Sequence, residues 1–301
     1  RYAQMLGRVR RIGQALATRP LSVDRPIAIL SDNDLEHYTL ALAAMWVGVP
    51  YTPVSVAYST VSQDFAKLKQ ILGTLTPGLV FAADGHVFRN AIATCVPADV
   101  EVLLTSGEDT PALQGRRVTR FDSLLNTEPG AEEAAAHAKV GPDTIAKFLF
   151  TSGSTKQPKG VINTQRMICA NQQMLRQCFA FMAEEPPVLI DWLPWNHTFG
   201  GNHNIGIALY NGGTLYIDDG KPTPKGGRAK ATPTPKPKPR PPGSVYDLPP
   251  DTASNPLAGA NLHRLDQGRA PVVEPLPGEH ARTRANLERR SAQRDGVLME
   301  R

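Results

Sequence analysis

One unit near the N-terminus constrains the fold of this chain more than any other feature. Pro26 to Leu30 (PIAIL) is a short apolar run. SDND follows and offers several helix N-cap side chains, and LEHYTLALAAMWV then places apolar residues at helical spacing until Gly48. A strand, a tight connection, a helix and a glycine stop make a βα unit. The pattern recurs: GLVFAAD (78–84), VEVLLTSG (100–107), IAKFLF (145–150), PVLIDWL (187–193) and TLYIDD (214–219) are strand candidates, and helical candidates lie between several of them, notably 164–181 and 203–210. Such alternation predicts an α/β fold, a largely parallel sheet flanked by helices, with ligands bound at the carboxyl ends of the strands.

The alternation stops near residue 220. Residues 221–301 hold 14 of the chain's 27 prolines, no Phe, no Trp and the single tyrosine Tyr246. That is too little apolar material to offset the entropy of ordering. The stretch KPTPKGGRAKATPTPKPKPRPP (221–242) favours extended polyproline conformations, and LERRSAQRDGVLMER would be a marginal helix in isolation. Residues 225–301 are therefore expected to be a disordered tail.

Charge follows the same division. The chain has 33 Lys+Arg and 28 Asp+Glu; residues 221–301 take 15 and 8 of these, which leaves 18 against 20 for residues 1–220. The basic excess sits entirely in the tail, so the net charge of +5 is no argument for nucleic-acid binding. No run of about 18 uncharged apolar residues occurs, and RYAQMLGRVRR is not followed by the apolar segment of a signal peptide. No membrane partner and a cytoplasmic location are the expectations. Cys95, Cys169 and Cys178 are odd in number and lack CxxC spacing, which argues against a disulfide framework or a structural zinc site.

The most informative stretch is FTSGSTKQPKG (150–160), which follows an apolar strand candidate and precedes a helical one. Thr151, Ser152, Ser154 and Thr155 surround Gly153, and Lys159 precedes Gly160. Small residues admit an anion to backbone N–H groups, hydroxyls donate further hydrogen bonds, and a lysine adds a point charge, a composition suited to polyphosphate. It is not a Walker A loop, because Lys159 is followed by Gly160 and Val161 rather than Ser or Thr. A flexible Ser/Gly connection has the same composition. A second stretch, DWLPWNHTFGGNHNIG (191–206), combines aromatics (Trp192, Trp195, Phe199), His197 and the paired Gly200 and Gly201. Aromatics beside glycines can line a pocket for a flat ligand, although tryptophans in such loops are commonly core and a lone histidine is commonly structural.

The first of these stretches resembles the phosphate-binding signature of the adenylate-forming acyl-CoA synthetase superfamily, TSGSTGxPKG. Nine of the ten positions fit at Thr151 to Gly160; the departure is Lys156, where the family has glycine. With PIAILSDNDLEHYTLALAAMWVGVPYTPVSVAYS, VSQDFAKLKQIL, TPGLVFAADG, VINTQRMICANQQM and NHTFGGNHNIG, residues 1–224 are similar to the feruloyl-CoA synthetase family. The resemblance implies the incomplete N-terminal domain of the adenylate-forming fold over 1–224. It implies ATP, Mg²⁺ and coenzyme A as cofactors or co-substrates, and a small carboxylic acid, ferulate or a related cinnamate, as partner. Thr151, Ser152, Gly153, Ser154, Thr155, Lys159 and Gly160 would bind ATP, and His197, Phe199, Gly200 and Gly201 would lie at the acyl site.

The family's later elements are an aromatic-Gly-x-Thr-Glu segment whose Glu helps hold Mg²⁺, an Asp for the ribose hydroxyls and a catalytic Lys. None occurs in residues 221–301, so no catalytic or metal-ligating residue of the family is expected in this chain. The resemblance breaks off within the phrase YIDDGKPTP, as a reading-frame change in a GC-rich gene would produce, and the expectation is a truncated, weakly active or inactive ligase. A non-catalytic nucleotide- or partner-binding protein with a basic proline-rich tail is the alternative from another class. A gene fragment without function is a third.

Overall fold

The computed structural model describes residues 1–151 and 158–218. The strands are β1 (Ile27–Ile29), β2 (Tyr51–Pro53), β3 (Leu79–Asp84), β4 (Glu101–Ser106), β5 (Val118–Arg120), β6 (Ile145–Thr151), β7 (Lys159–Thr164), β8 (Val188–Asp191) and β9 (Thr214–Ile217). The helices are α1 (Tyr2–Ala17), α2 (Leu35–Val47), α3 (Ala57–Thr60), α4 (Ala66–Leu75), α5 (Gly85–Cys95), α6 (Phe121–Leu125), α7 (Ala131–His137), α8 (Gln165–Cys178), α9 (Phe181–Glu184) and α10 (Ile205–Tyr210). Seven strands form one sheet in the order β5-β4-β3-β1-β2-β6-β7, parallel throughout except for the antiparallel β6–β7 pair; β8 and β9 form a separate parallel pair. The expected α/β architecture, a mostly parallel sheet flanked by helices, is present.

Each face of the sheet buries its own apolar cluster, because successive side chains of a strand point to opposite sides. Ile27, Ile29, Leu79, Phe81 and Leu103 pack against α1, α2 and α6. Ala28, Val80, Ala82, Val102 and Leu104 pack against α4 and α5 on the other face. The central strand β1 is therefore apolar at every position and β3 over its first five, which is why they stand out in the sequence. Local signals place the helix ends. The Asp34 carboxylate accepts from His37 N–H at 2.6 Å at the start of α2, and Gly48 stops that helix at φ 73°. Thr164 caps α8 by accepting from Met167 N–H.

Four features differ from the sequence expectation. β2 and β5 have three residues each and show no usable period. Lys159–Thr164, expected to lead straight into a helix, is instead a strand antiparallel to β6, with Thr151 opposite Lys159 and Phe150 opposite Gly160. Val161, Ile162 and Thr164 suit a strand, but Lys159, Gly160 and Asn163 interrupt the run, and pairing with β6 decides its conformation. The helix expected over 203–210 begins as a π-helical turn, Phe199–Asn204, and becomes α-helical at Ile205. The tail from 225 onward lies outside the described residues, as do Ser152, Gly153, Ser154, Thr155 and Lys156. Among the described residues no helix is long and apolar enough to cross a membrane.

Candidate functional site

The antiparallel β6–β7 hairpin brackets the Ser/Gly/Thr stretch. Thr151 ends one arm, Lys159 starts the other, and the two are register partners. Thr151 and Lys159 thus lie at the carboxyl edge of the parallel sheet, where α/β folds bind ligands. A cleft of about 190 Å³ opens beside this edge. Leu149, Phe150 and Thr151 form one wall, Pro53 to Ser55 and Tyr58 another, and Asn196, His197 and Thr198 close it from the loop after β8. The structure therefore brings Thr151 and His197 together, although 46 residues of sequence separate them. A larger hollow of about 310 Å³, lined by Arg25, Lys69, Cys95 and Asp99 among others, lies before β1, β3 and β4 at the opposite edge. It contains none of the residues expected at the phosphate or acyl site. The smaller cleft is the candidate site because Thr151 of the signature, His197 and the strand ends converge there.

The remaining expected acyl-site residues do not line this cleft. Phe199 is 58% exposed and stacks on His203, with ring centroids 4.5 Å apart. Gly200 and Gly201 are buried against the chain itself: a Cβ on Gly200 would lie 2.7 Å from the carbonyl oxygens of Leu193 and Pro194, and one on Gly201 would lie 2.2 Å from that of Trp195. Their role is close backbone approach, which lets the π-helical turn fold back on the loop that carries His197.

That loop is clamped from several sides. Asn33, in the SDND connection, donates Nδ2 to the Leu193 carbonyl at 2.8 Å and accepts from Trp195 N–H at 3.2 Å. Asp191 at the end of β8 accepts from Leu193 N–H, Trp195 Nε1 and Asn204 Nδ2. Trp195 is core rather than pocket wall, 2% exposed, with its ring edge-on to His37 at 4.9 Å. His37 Nδ1 lies 3.0 Å from the Asp32 carbonyl oxygen, which makes Nδ1 the protonated nitrogen, and burial pushes the imidazole down to about 4.

A residue missed in the sequence lies beneath this loop. Lys147 of β6 is 2% exposed; its Nζ donates to the Gly201 carbonyl at 2.6 Å and to the Tyr51 hydroxyl at 3.2 Å. Both partners are uncharged, and burial holds the amine down at about 7. The available signal was a lone cation in the otherwise apolar run IAKFLF. Among the described residues no group of three or more His, Cys, Asp or Glu side chains stands ready to hold a metal ion.

The sequence pattern that defines AMP-binding enzymes matches residues 1–232. Among curated relatives, a propanoyl:CoA ligase of Rhodococcus jostii, whose acyl group carries a methyl-dioxo-octahydroindenyl ring system, is 26% identical over 220 residues. That alignment covers 71% of this chain and 42% of the relative. Indoleacetate–CoA ligase of Aromatoleum aromaticum is 25% identical, with 72% and 39% covered. The ATP-bound crystal structure of MatB from Rhodopseudomonas palustris superposes with a TM-score of 0.57 at 23% identity, over 72% of this chain and 39% of that one, a likeness of fold. The chain thus spans about two fifths of the length of these relatives.

Proposed function

Starting from the fact that this chain belongs to the AMP-binding enzyme family, we propose that residues 1–224 are the front part of an acid:CoA ligase. It would use ATP with Mg²⁺ and coenzyme A, and take ferulate or a related hydroxycinnamate as its acid. Residues 225–301 form a separate basic tail in this reading. The observation that carries it is the meeting of Thr151, at the mouth of the phosphate hairpin, with His197 in one cleft at the carboxyl edge of the sheet.

In this reaction the substrate carboxylate attacks the α-phosphorus of ATP, the bond to pyrophosphate breaks, and an acyl-adenylate forms. The coenzyme A thiolate then attacks the acyl carbonyl and AMP leaves. The chain's contribution is positional and electrostatic. Thr151, Ser152, Gly153, Ser154, Thr155 and Gly160 supply hydroxyl and backbone donors to the phosphates, and Lys159 supplies positive charge from the facing strand. His197 borders the acid from across the cleft, the apolar walls at Pro53, Val54 and Leu149 suit a flat aromatic acid, and Phe199, Gly200 and Gly201 complete the acyl side through the shape of the turn. Mg²⁺ belongs in this reading with the nucleotide's phosphates, and no ligand in this chain is assigned to it.

Calorimetric titration of the full chain with ATP tests the assignment. Saturable binding weakened tenfold or more by Lys159→Ala supports it; absent binding, or binding indifferent to that substitution, refutes it. Ferulate against benzoate and octanoate, titrated in the presence of ATP, tests the acid.

A further inference from the structure

The π-helical turn Phe199–Asn204 is held from beneath by three buried polar side chains, each from a different element next to the phosphate stretch. Lys147 of β6 donates to the Gly201 carbonyl at 2.6 Å, and Gln172 of α8 donates to the next carbonyl, Asn202, at 3.0 Å. The Asn202 side chain donates to Asn163 Oδ1 of β7 at 2.9 Å. The strands β6 and β7 are the two arms that bracket residues 152–158. The turn is in turn tied to the acyl residue, because Gly201 N–H donates to the His197 carbonyl at 2.8 Å. A continuous chain of hydrogen bonds therefore runs from the phosphate hairpin to the base of His197.

Burying polar groups in this way is costly unless they are paired; Lys147 Nζ, Gln172 Nε2 and Asn202 Nδ2 each have the acceptor named above, while Gln172 Oε1 and Asn202 Oδ1 have none among the described residues, so these three donor contacts carry the arrangement. Lys147, Leu149 and Thr151 share one face of β6, and Leu149 and Thr151 line the cleft together with Phe150 of the other face. The strand whose end lines the ligand cleft thus also anchors the turn. An apolar side chain would fill the space beneath the turn but leave the Gly201 carbonyl without its donor.

We propose that Lys147 is a positioning residue that locks the turn Phe199–Asn204, and with it His197, to the strand opening the phosphate loop, so that the bound acid and the bound nucleotide are held in register. This rests on the reading of His197 as an acyl-site residue given above. Gln172 and Asn163 are secondary members of the same lock.

The test uses the full chain, with ATP and ferulate as probes, and compares wild type with Lys147→Met by hydrogen exchange and calorimetry. The expected result is a tenfold or greater rise in exchange across 196–206 with unchanged protection of β3 and β4. Ferulate affinity in the presence of ATP falls at least tenfold, while ATP affinity alone changes less than twofold. Unchanged exchange across 196–206, or equal weakening of ATP and ferulate, overturns the proposal and leaves the proposed function standing. Wild-type chain that binds ATP but not ferulate removes the acyl-site reading and this proposal with it; wild type that binds neither removes the proposed function as a whole. Should Lys147→Met fail to fold, Gln172→Leu carries the same comparison, with ferulate weakened threefold or more and ATP unchanged as the expected result.

Discussion

Raising the pH above 7 stabilises the wild-type fold through Lys147, and Lys147→Met abolishes that gain. The folded state holds this amine at about 7, against 10.5 when unfolded, so between these values the unfolded chain binds the extra proton. Stability then rises with pH at about 1.4 kcal/mol per pH unit, is fully present above the unfolded value and is lost as pH falls through the folded one. Across the whole interval the effect is roughly 5 kcal/mol, and between pH 7.5 and 9.5 it is about 2.5 kcal/mol. Two neighbouring ionisable groups do not interfere: His37 is held at about 4, and burial raises the Tyr51 phenol. Urea unfolding followed by far-UV circular dichroism at pH 7.5, 8.5 and 9.5 gives the measurement as the wild-type-minus-variant difference, in which other titrating groups cancel. A difference that stays flat to within about 0.5 kcal/mol over this range refutes the reasoning, because it means the folded lysine keeps its ordinary affinity for the proton.

Three further outcomes are expected. Gly201→Ala destabilises the chain by about 2 kcal/mol or more, since its methyl group would collide with the Trp195 carbonyl and the turn must shift; thermal melting measures it, and a neutral result would show that the turn yields easily. His37 acts on the acid side: its folded value of about 4 lies below the ordinary 6.5, so the stability it confers is complete above 6.5 and is lost as pH falls toward 4, amounting to roughly 3 kcal/mol. Replacing His37 with Phe flattens the acid limb of the unfolding curve by that amount. Pyrophosphate release by the chain alone with ferulate, ATP and coenzyme A stays at background, because residues 221–301 contain no counterpart of the family's Mg²⁺-binding Glu or catalytic Lys; turnover matching a complete ligase would overturn this.

Much of the fold is legible in local residue order because its causes are local. Five-residue apolar runs such as PIAIL mark strands buried on both faces, Asp34 caps a helix three residues before the N–H it binds, and Gly48 supplies a left-handed stop that other residues resist. The phosphate stretch was equally visible, since its chemistry lies in consecutive positions. The three-residue strands β2 and β5 were not, because three residues are too few for a period to emerge. Strand β7 escaped because Lys159, Gly160 and Asn163 interrupt its β-branched residues, and pairing with β6 settles its conformation.

The site divides in the same way. Order along the chain determined that residues 1–220 alternate between strand and helix, that a hydroxyl- and glycine-rich stretch ending in Lys159 and Gly160 sits at 151–160 and that a glycine-paired aromatic loop follows. Tertiary structure alone decided that Thr151 and His197 share a cleft, that Gly200 and Gly201 serve backbone packing, and that Lys147 and Asn33 hold the loop between them. The physical reason is distance along the chain. Lys147 meets Gly201 across 54 residues and Asn33 meets Leu193 across 160, so a lysine that reads as a misfit in an apolar strand acquires its meaning only when folding carries the Gly201 carbonyl to its amine.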